Sequence, residues 1–146
     1  MKINGTIFSK PQQDQLKRGI GTELDKIAAM VSTKYYSKTY DNTVGSYRKI
    51  INDVIEAFQQ HKRVFCIINP QEGREVIIEF TAIKPTGSPY VLATGVTYNE
   101  TTSFAAIIKL FIGTQTKSLT MYTLKADGCD SSSLTPPDQT KVYFEV

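Results

Sequence analysis

Tryptophan is absent, histidine occurs once and cysteine twice in the 146 residues. Each scarcity removes a class of chemistry. His61 alone leaves no histidine-rich metal site, and no CxxC or HExxH spacing offers a zinc ligand set. Cys66 and Cys129 build no disulfide framework: the first sits in an apolar run, the second in a polar stretch. No GxGxxG or P-loop spacing supports a nucleotide site. Nor does any apolar run reach the roughly 18–20 residues of a membrane helix. The longest, FAAIIKLFI, is interrupted by Lys109, and the opening MKINGTIFSK lacks the core of a signal peptide. These absences predict a protein made in a cytoplasm, not exported by a cleaved signal and not membrane-spanning. No cofactor is expected.

The charge balance is mild. Seventeen basic and 14 acidic residues give a net charge of +3, and the basic ones follow no single stripe. A nucleic-acid binder usually clusters them on one face, so nucleic acid is not the expected partner. Tyr35, Tyr36 and Tyr40 alternate with Lys34 and Lys38, a composition that can stack on bases. It equally suits a half-buried connector whose lysines keep their ammonium groups in water, and that is the expectation here.

The hydrophobic period changes near residue 60. Upstream it is helical. Ser9-Lys10-Pro11-Gln12 has the features of a helix start, and Leu16, Ile20, Leu24, Ile27 and Val31 recur at helical spacing, which predicts a helix over 11–31. Its last four apolar positions fit a heptad seam. Gly19 and Gly21 each weaken it by about 1 kcal/mol, so it needs a surface to pack on. A second helix over 44–60 carries a clean stripe of Tyr47, Ile50, Ile51, Val54, Ile55 and Phe58, with Asp41, Asn42 or Thr43 as its cap. Downstream the apolar residues alternate, predicting strands at 64–68, 75–84, 90–98, 103–113, 117–125 and 141–146. The strand over 103–113 is apolar on both faces: Phe104, Ala106, Ile108, Leu110 and Ile112 on one, Ala105, Ile107 and Phe111 on the other. Such a strand is expected to be covered on both sides, by helices on one and by a second sheet or another subunit on the other.

The expected class is therefore α+β: two N-terminal helices followed by a mainly antiparallel six-stranded β block, meander or sandwich. A single domain should span 1–146, with an arm and helix over 1–32, a connector and amphipathic helix over 33–61, and the β block over 62–146. Chemistry is thin. His61 ends a helix beside Lys62, where a solvated role is expected. Asp127-Gly128-Cys129-Asp130-Ser131 has oxygens that could hold a hard cation, but the same residues make ordinary turns. Glu75 and Glu79 share a strand face, where solvated charge is normal. No catalytic, cofactor or metal residue is assigned, and the chain is not expected to be an enzyme.

Two segments carry a family resemblance. MKINGTIFSKPQQDQLKRGIGTELDKIAA resembles the polar, Gln-rich helical beginnings of tailed-bacteriophage fibre and tail-adaptor proteins. FAAIIKLFIGTQTKSLTMYTL resembles the small β domains of head fibres and receptor-binding-protein shoulders. The resemblance implies a non-catalytic virion component made in the host cytoplasm. It would assemble with itself, as a trimer by preference, and with other virion proteins. Ile20, Leu24, Ile27 and Val31 would then be contacts between subunits. The alternative is a small β-rich module binding carbohydrate or another surface ligand, although the commonest sugar-stacking residue, tryptophan, is missing.

Overall fold

The computed structural model describes residues 2–3, 6–7, 34–71 and 74–146. The predicted helix over 11–31 and its seam of Ile20, Leu24, Ile27 and Val31 lie outside these residues. Two short strands, β1 (Lys2–Ile3) and β2 (Thr6–Ile7), pair with each other. The rest of the described residues are organised by one antiparallel sheet. Its strands are β3 (Tyr35–Tyr40), β4 (Val64–Gln71), β5 (Arg74–Lys84), β6 (Tyr90–Asn99), β7 (Phe104–Gly113), β8 (Lys117–Lys125), β9 (Gly128–Leu134) and β10 (Thr140–Glu145). They lie in the order β3-β10-β4-β5-β6-β7-β8-β9. One helix, α1 (Val44–Gln59), stands among the described residues.

The expected class of two helices and six strands is overturned: the chain is mostly β, with eight strands in one sheet. The additions are β3 and β9. The Tyr/Lys segment, expected as a connector, becomes an edge strand because β10 recruits its backbone from Tyr35 to Tyr40. The stretch GCDSSSL has little intrinsic strand preference. The tight turn at Ala126-Asp127 folds it back on β8, which pairs with it from Leu119 to Lys125. Pairing with an existing strand overrides composition in both cases. The sandwich option falls with them, since all eight strands share one sheet.

The helix forms where its stripe predicts. Thr43 is the N-cap, its side chain accepting from the Ser46 N–H at 3.2 Å. The C-terminal turn closes at His61, which is exposed and has a left-handed φ of 58°. Ile50, Ile51, Val54 and Ala57 are buried, while Tyr47, Ile55 and Phe58 are half-buried at the rim. This face packs across β6 and β7. Beneath it lie Ile78, Val91, Ala93, Ile108, Leu110 and Ile112, none more than 2% exposed. The sheet therefore has an inner face under α1 and an outer face turned away from it.

Chain order adds one non-local feature. β3 and β4 both pair antiparallel with β10, so they run parallel to each other, and α1 is the crossover between them. The C-terminal strand fills the gap that this crossover leaves. It pairs with β4 only at Val64, Phe65 and Cys66, so among the described residues the far end of β4 has no neighbour on that side. Pro70, which has no N–H, is tolerated there beside a register shift between Ile68 and Gln71.

Candidate functional site

The residues singled out for chemistry do not converge. Cys66 is buried in β4 on the inner face of the sheet, and Cys129 is exposed on β9; both are free thiols. Asp130 sits in β9 and is ion-paired with Lys125. Glu79 is taken by Arg63 through two hydrogen bonds of 2.9 and 3.0 Å. Among the described residues no group of three His, Cys, Asp or Glu is placed to hold a metal. No helix among them is long and apolar enough to cross a membrane.

The inner face holds two polar clusters with structural partners. Tyr40, 4% exposed, donates its hydroxyl to Asp53 at 2.6 Å, and Lys38 stands 3.5 Å from the same carboxylate. They tie the edge strand to the helix. A small groove beside them is lined by Glu56, Gln60, Lys62 and Glu145, with both signs of charge. At the other end Lys117 donates to the Pro137 carbonyl at 2.6 Å and to Thr140 Oγ1 at 3.3 Å, anchoring the segment that leads into β10. The tyrosines of β3 are also engaged: Tyr36 stacks on Phe144 at 5.4 Å and Tyr35 meets Phe65 edge-on at 5.9 Å. These rings pack on the sheet from an edge strand, where a connector was expected.

Burial pushes the Cys66 thiol well above its ordinary range. Burial, with the Asp53 hydrogen bond and charge adding to it, does the same to the Tyr40 phenol. In the fold both groups keep protons that the unfolded chain gives up. Their stabilisation is complete below the unfolded pKa values, about 8.5 for a thiol and about 10 for a phenol, and is lost as pH rises beyond them. Burial lowers the Lys117 pKa and acts in the opposite sense, adding stability as pH rises toward about 10.4. The thiol alone should give a slope of about 1.4 kcal/mol per pH unit above about pH 9. Urea midpoints between pH 7 and 10.5 should fall in the wild type and fall less steeply in Cys66→Ala. Identical slopes would mean that the thiol is not held protonated.

The outer face is the largest feature left unaccounted for. Antiparallel pairing fixes its side chains in rows across β6 and β7: Leu92 with Phe111, Thr94 with Lys109, Val96 with Ile107, and Tyr98 with Ala105. Tyr122 continues the row of Ile107 on β8. Phe65, Tyr143, Ile67 and Ile77 form an apolar cluster on β10, β4 and β5, separate from the inner core. Val96 is 75% exposed, Tyr98 49% and Leu124 43%. The one helix among the described residues lies on the inner face, and all eight long strands share the one sheet. The signal for this site stands in the sequence: FAAIIKLFI is apolar on both faces, and α1 covers only one of them.

Charge on this face is mixed. Arg63 lies 4.8 Å from the Phe65 ring and pairs with Glu79; Lys109 lies 5.3 Å from the Tyr122 ring. Glu75 stands exposed on the same face of β5 as Glu79. Neither sign dominates, as a nucleic-acid or anionic-membrane surface would require. Comparison of the chain with family models, with curated proteins and with solved structures finds no match.

Proposed function

We propose that this chain is a non-catalytic structural or assembly protein that works by protein–protein contact through the outer face of its sheet. One observation carries the reading: β7 is apolar on both faces apart from Lys109, and among the described residues only its inner face is covered. A large exposed apolar patch on a folded domain marks an interaction surface more often than chance exposure. The even charge balance supports a protein partner over a polyanion. A component of a tailed-phage virion is the setting that the sequence resemblance implies, and that setting rests on the resemblance alone.

An apolar reporter dye tests the reading on the dilute full chain. Its fluorescence should rise with wild type and drop several-fold with Val96→Glu combined with Ile107→Glu, since both side chains leave the inner core untouched. The unfolding temperature should change little, because surface substitutions usually stay within about 0.5 kcal/mol. A folded, dilute wild-type chain that leaves the dye dark would mean that the chain covers this face itself, and the reading would fail.

A further inference from the structure

The covering of the outer face can be named more closely, on the premise that this face is the contact surface. We infer that its occupant is a second copy of the same chain, stacked face to face about a two-fold axis running along the strands between β6 and β7. Three observations point there. The first is register. The cross-strand pairs Leu92–Phe111, Thr94–Lys109, Val96–Ile107 and Tyr98–Ala105 straddle the line between these strands. A two-fold axis along that line sets each residue of a pair against its own cross-strand partner in the other copy. Val96 of one copy then meets Ile107 of the second, and Leu92 meets Phe111, so apolar faces apolar along the seam.

The second observation is charge. Thr94 pairs across to Glu79 on its other side. The same axis therefore lays Lys109 of each copy over Thr94 and beside Glu79 of the other. The row is self-complementary: Lys109 lies on one side of the axis, and Glu79, which also holds Arg63, lies on the other. A surface of one sign would repel its own copy.

The third is size. Strands lie about 4.8 Å apart and same-face residues about 6.8 Å apart along a strand, so five strands and four rows span roughly 500 Å² in plane. That is below the about 800 Å² per partner of a standard interface and fits a weak dimer. Two sheets stacked in this way sit about 10 Å apart, as in a β-sandwich, which gives β7 its second cover.

Sedimentation velocity of the full chain tests this, from about 1 µM to about 300 µM, a range that resolves micromolar dissociation constants. The wild type should shift from monomer to dimer. Val96→Glu should weaken the dimer by at least about thirtyfold, the scale of a central contact, with an unchanged circular dichroism spectrum. Lys109→Glu should weaken it as well, by placing two carboxylates together. Mixing the Lys109→Glu chain with a Glu79→Lys chain should restore a mixed dimer. A wild type that stays monomeric to the top of the range overturns the inference. So does a Val96→Glu chain that dimerises as before, or a trimer as the end state. If the monomeric wild type still lights the dye, the contact-surface reading stands and only the identity of the partner is wrong. A monomer that leaves the dye dark defeats both.

Discussion

Replacing Gly95 by valine is expected to cost about 3 kcal/mol or more, a large share of the roughly 5–15 kcal/mol that holds a domain of this size. Gly95 lies in β6 opposite Ile108, on the inner face of the sheet. A Cβ at this position would stand 2.3 Å from the Ile77 carbonyl oxygen and 2.8 Å from Ile78 Cγ2. Both distances are far inside van der Waals contact. The nearer obstacle is backbone, so no rotamer change removes it; β5 and β6 would have to separate. Overpacking a core usually costs about 1–3 kcal/mol and more when backbone must move. Alanine brings the same Cβ and should cost nearly as much, which distinguishes this clash from an effect of valine's bulk. Gly45, in the first turn of α1, is the control: nothing lies within 4 Å of its Cβ position. Gly45→Ala should stabilise by about 0.5–1 kcal/mol through helix propensity. Urea unfolding followed by circular dichroism measures all three. A Gly95→Ala chain within about 0.5 kcal/mol of wild type would show that β5 and β6 do not approach this closely.

Six of the sheet's strands and the helix are legible in the sequence because their side chains face two different media. Alternation in EVIIEFTAI or LTMYTL reports one buried and one solvated face, and the i, i+3, i+4 stripe of α1 reports a helix lying on a core. The two edge strands give no such report. On β3 the inner face carries Tyr36, Lys38 and Tyr40, and only Tyr40 is buried; on β9 the run GCDSSSL is exposed until Leu134. An edge strand is held by hydrogen bonds to its one neighbour, and backbone bonds leave no mark on composition. The order of strands is equally silent. That the last strand inserts between β3 and β4 follows from long-range pairing, which local periodicity does not encode. The outer face was half legible: two-sided apolarity in β7 announces a cover, but only the pairing register shows which residues line the seam. The seam residues Ile20, Leu24, Ile27 and Val31, assigned as subunit contacts by resemblance, lie outside the described residues. The self-association inferred from the outer face rests on β6 and β7, whose pairing register is described.

Phe144→Ala should be the most damaging single truncation, at about 4 kcal/mol. Phe144 is 2% exposed and lies where three distant parts of the chain meet. On β10 it pairs with Tyr36 of β3 on one side and with Val64 of β4 on the other. Its ring carries the stacked Tyr36 ring and lies 5.7 Å from the Lys38 ammonium. Emptying a buried phenylalanine site costs about 3–5 kcal/mol from lost transfer energy and the residual cavity. The lost ring pair adds about 0.5–1.5 kcal/mol, less here because Tyr36 is half exposed. A domain of this size has roughly 5–15 kcal/mol in total, so the loss takes a large share. It should also be uneven. β3 is held to the sheet by β10 and to the helix by Tyr40 and Asp53, whereas β6 and β7 are locked by α1. Hydrogen exchange should therefore show β3 and β10 opening well before β7, with the Tyr35–Tyr40 amides losing protection first. Tyr36→Ala, which keeps the buried ring, should cost only about 1 kcal/mol and leave β10 protected. A Phe144→Ala loss below about 1 kcal/mol, or equal exchange across the sheet, would mean that the C-terminal strand is not the wedge that closes the βαβ crossover.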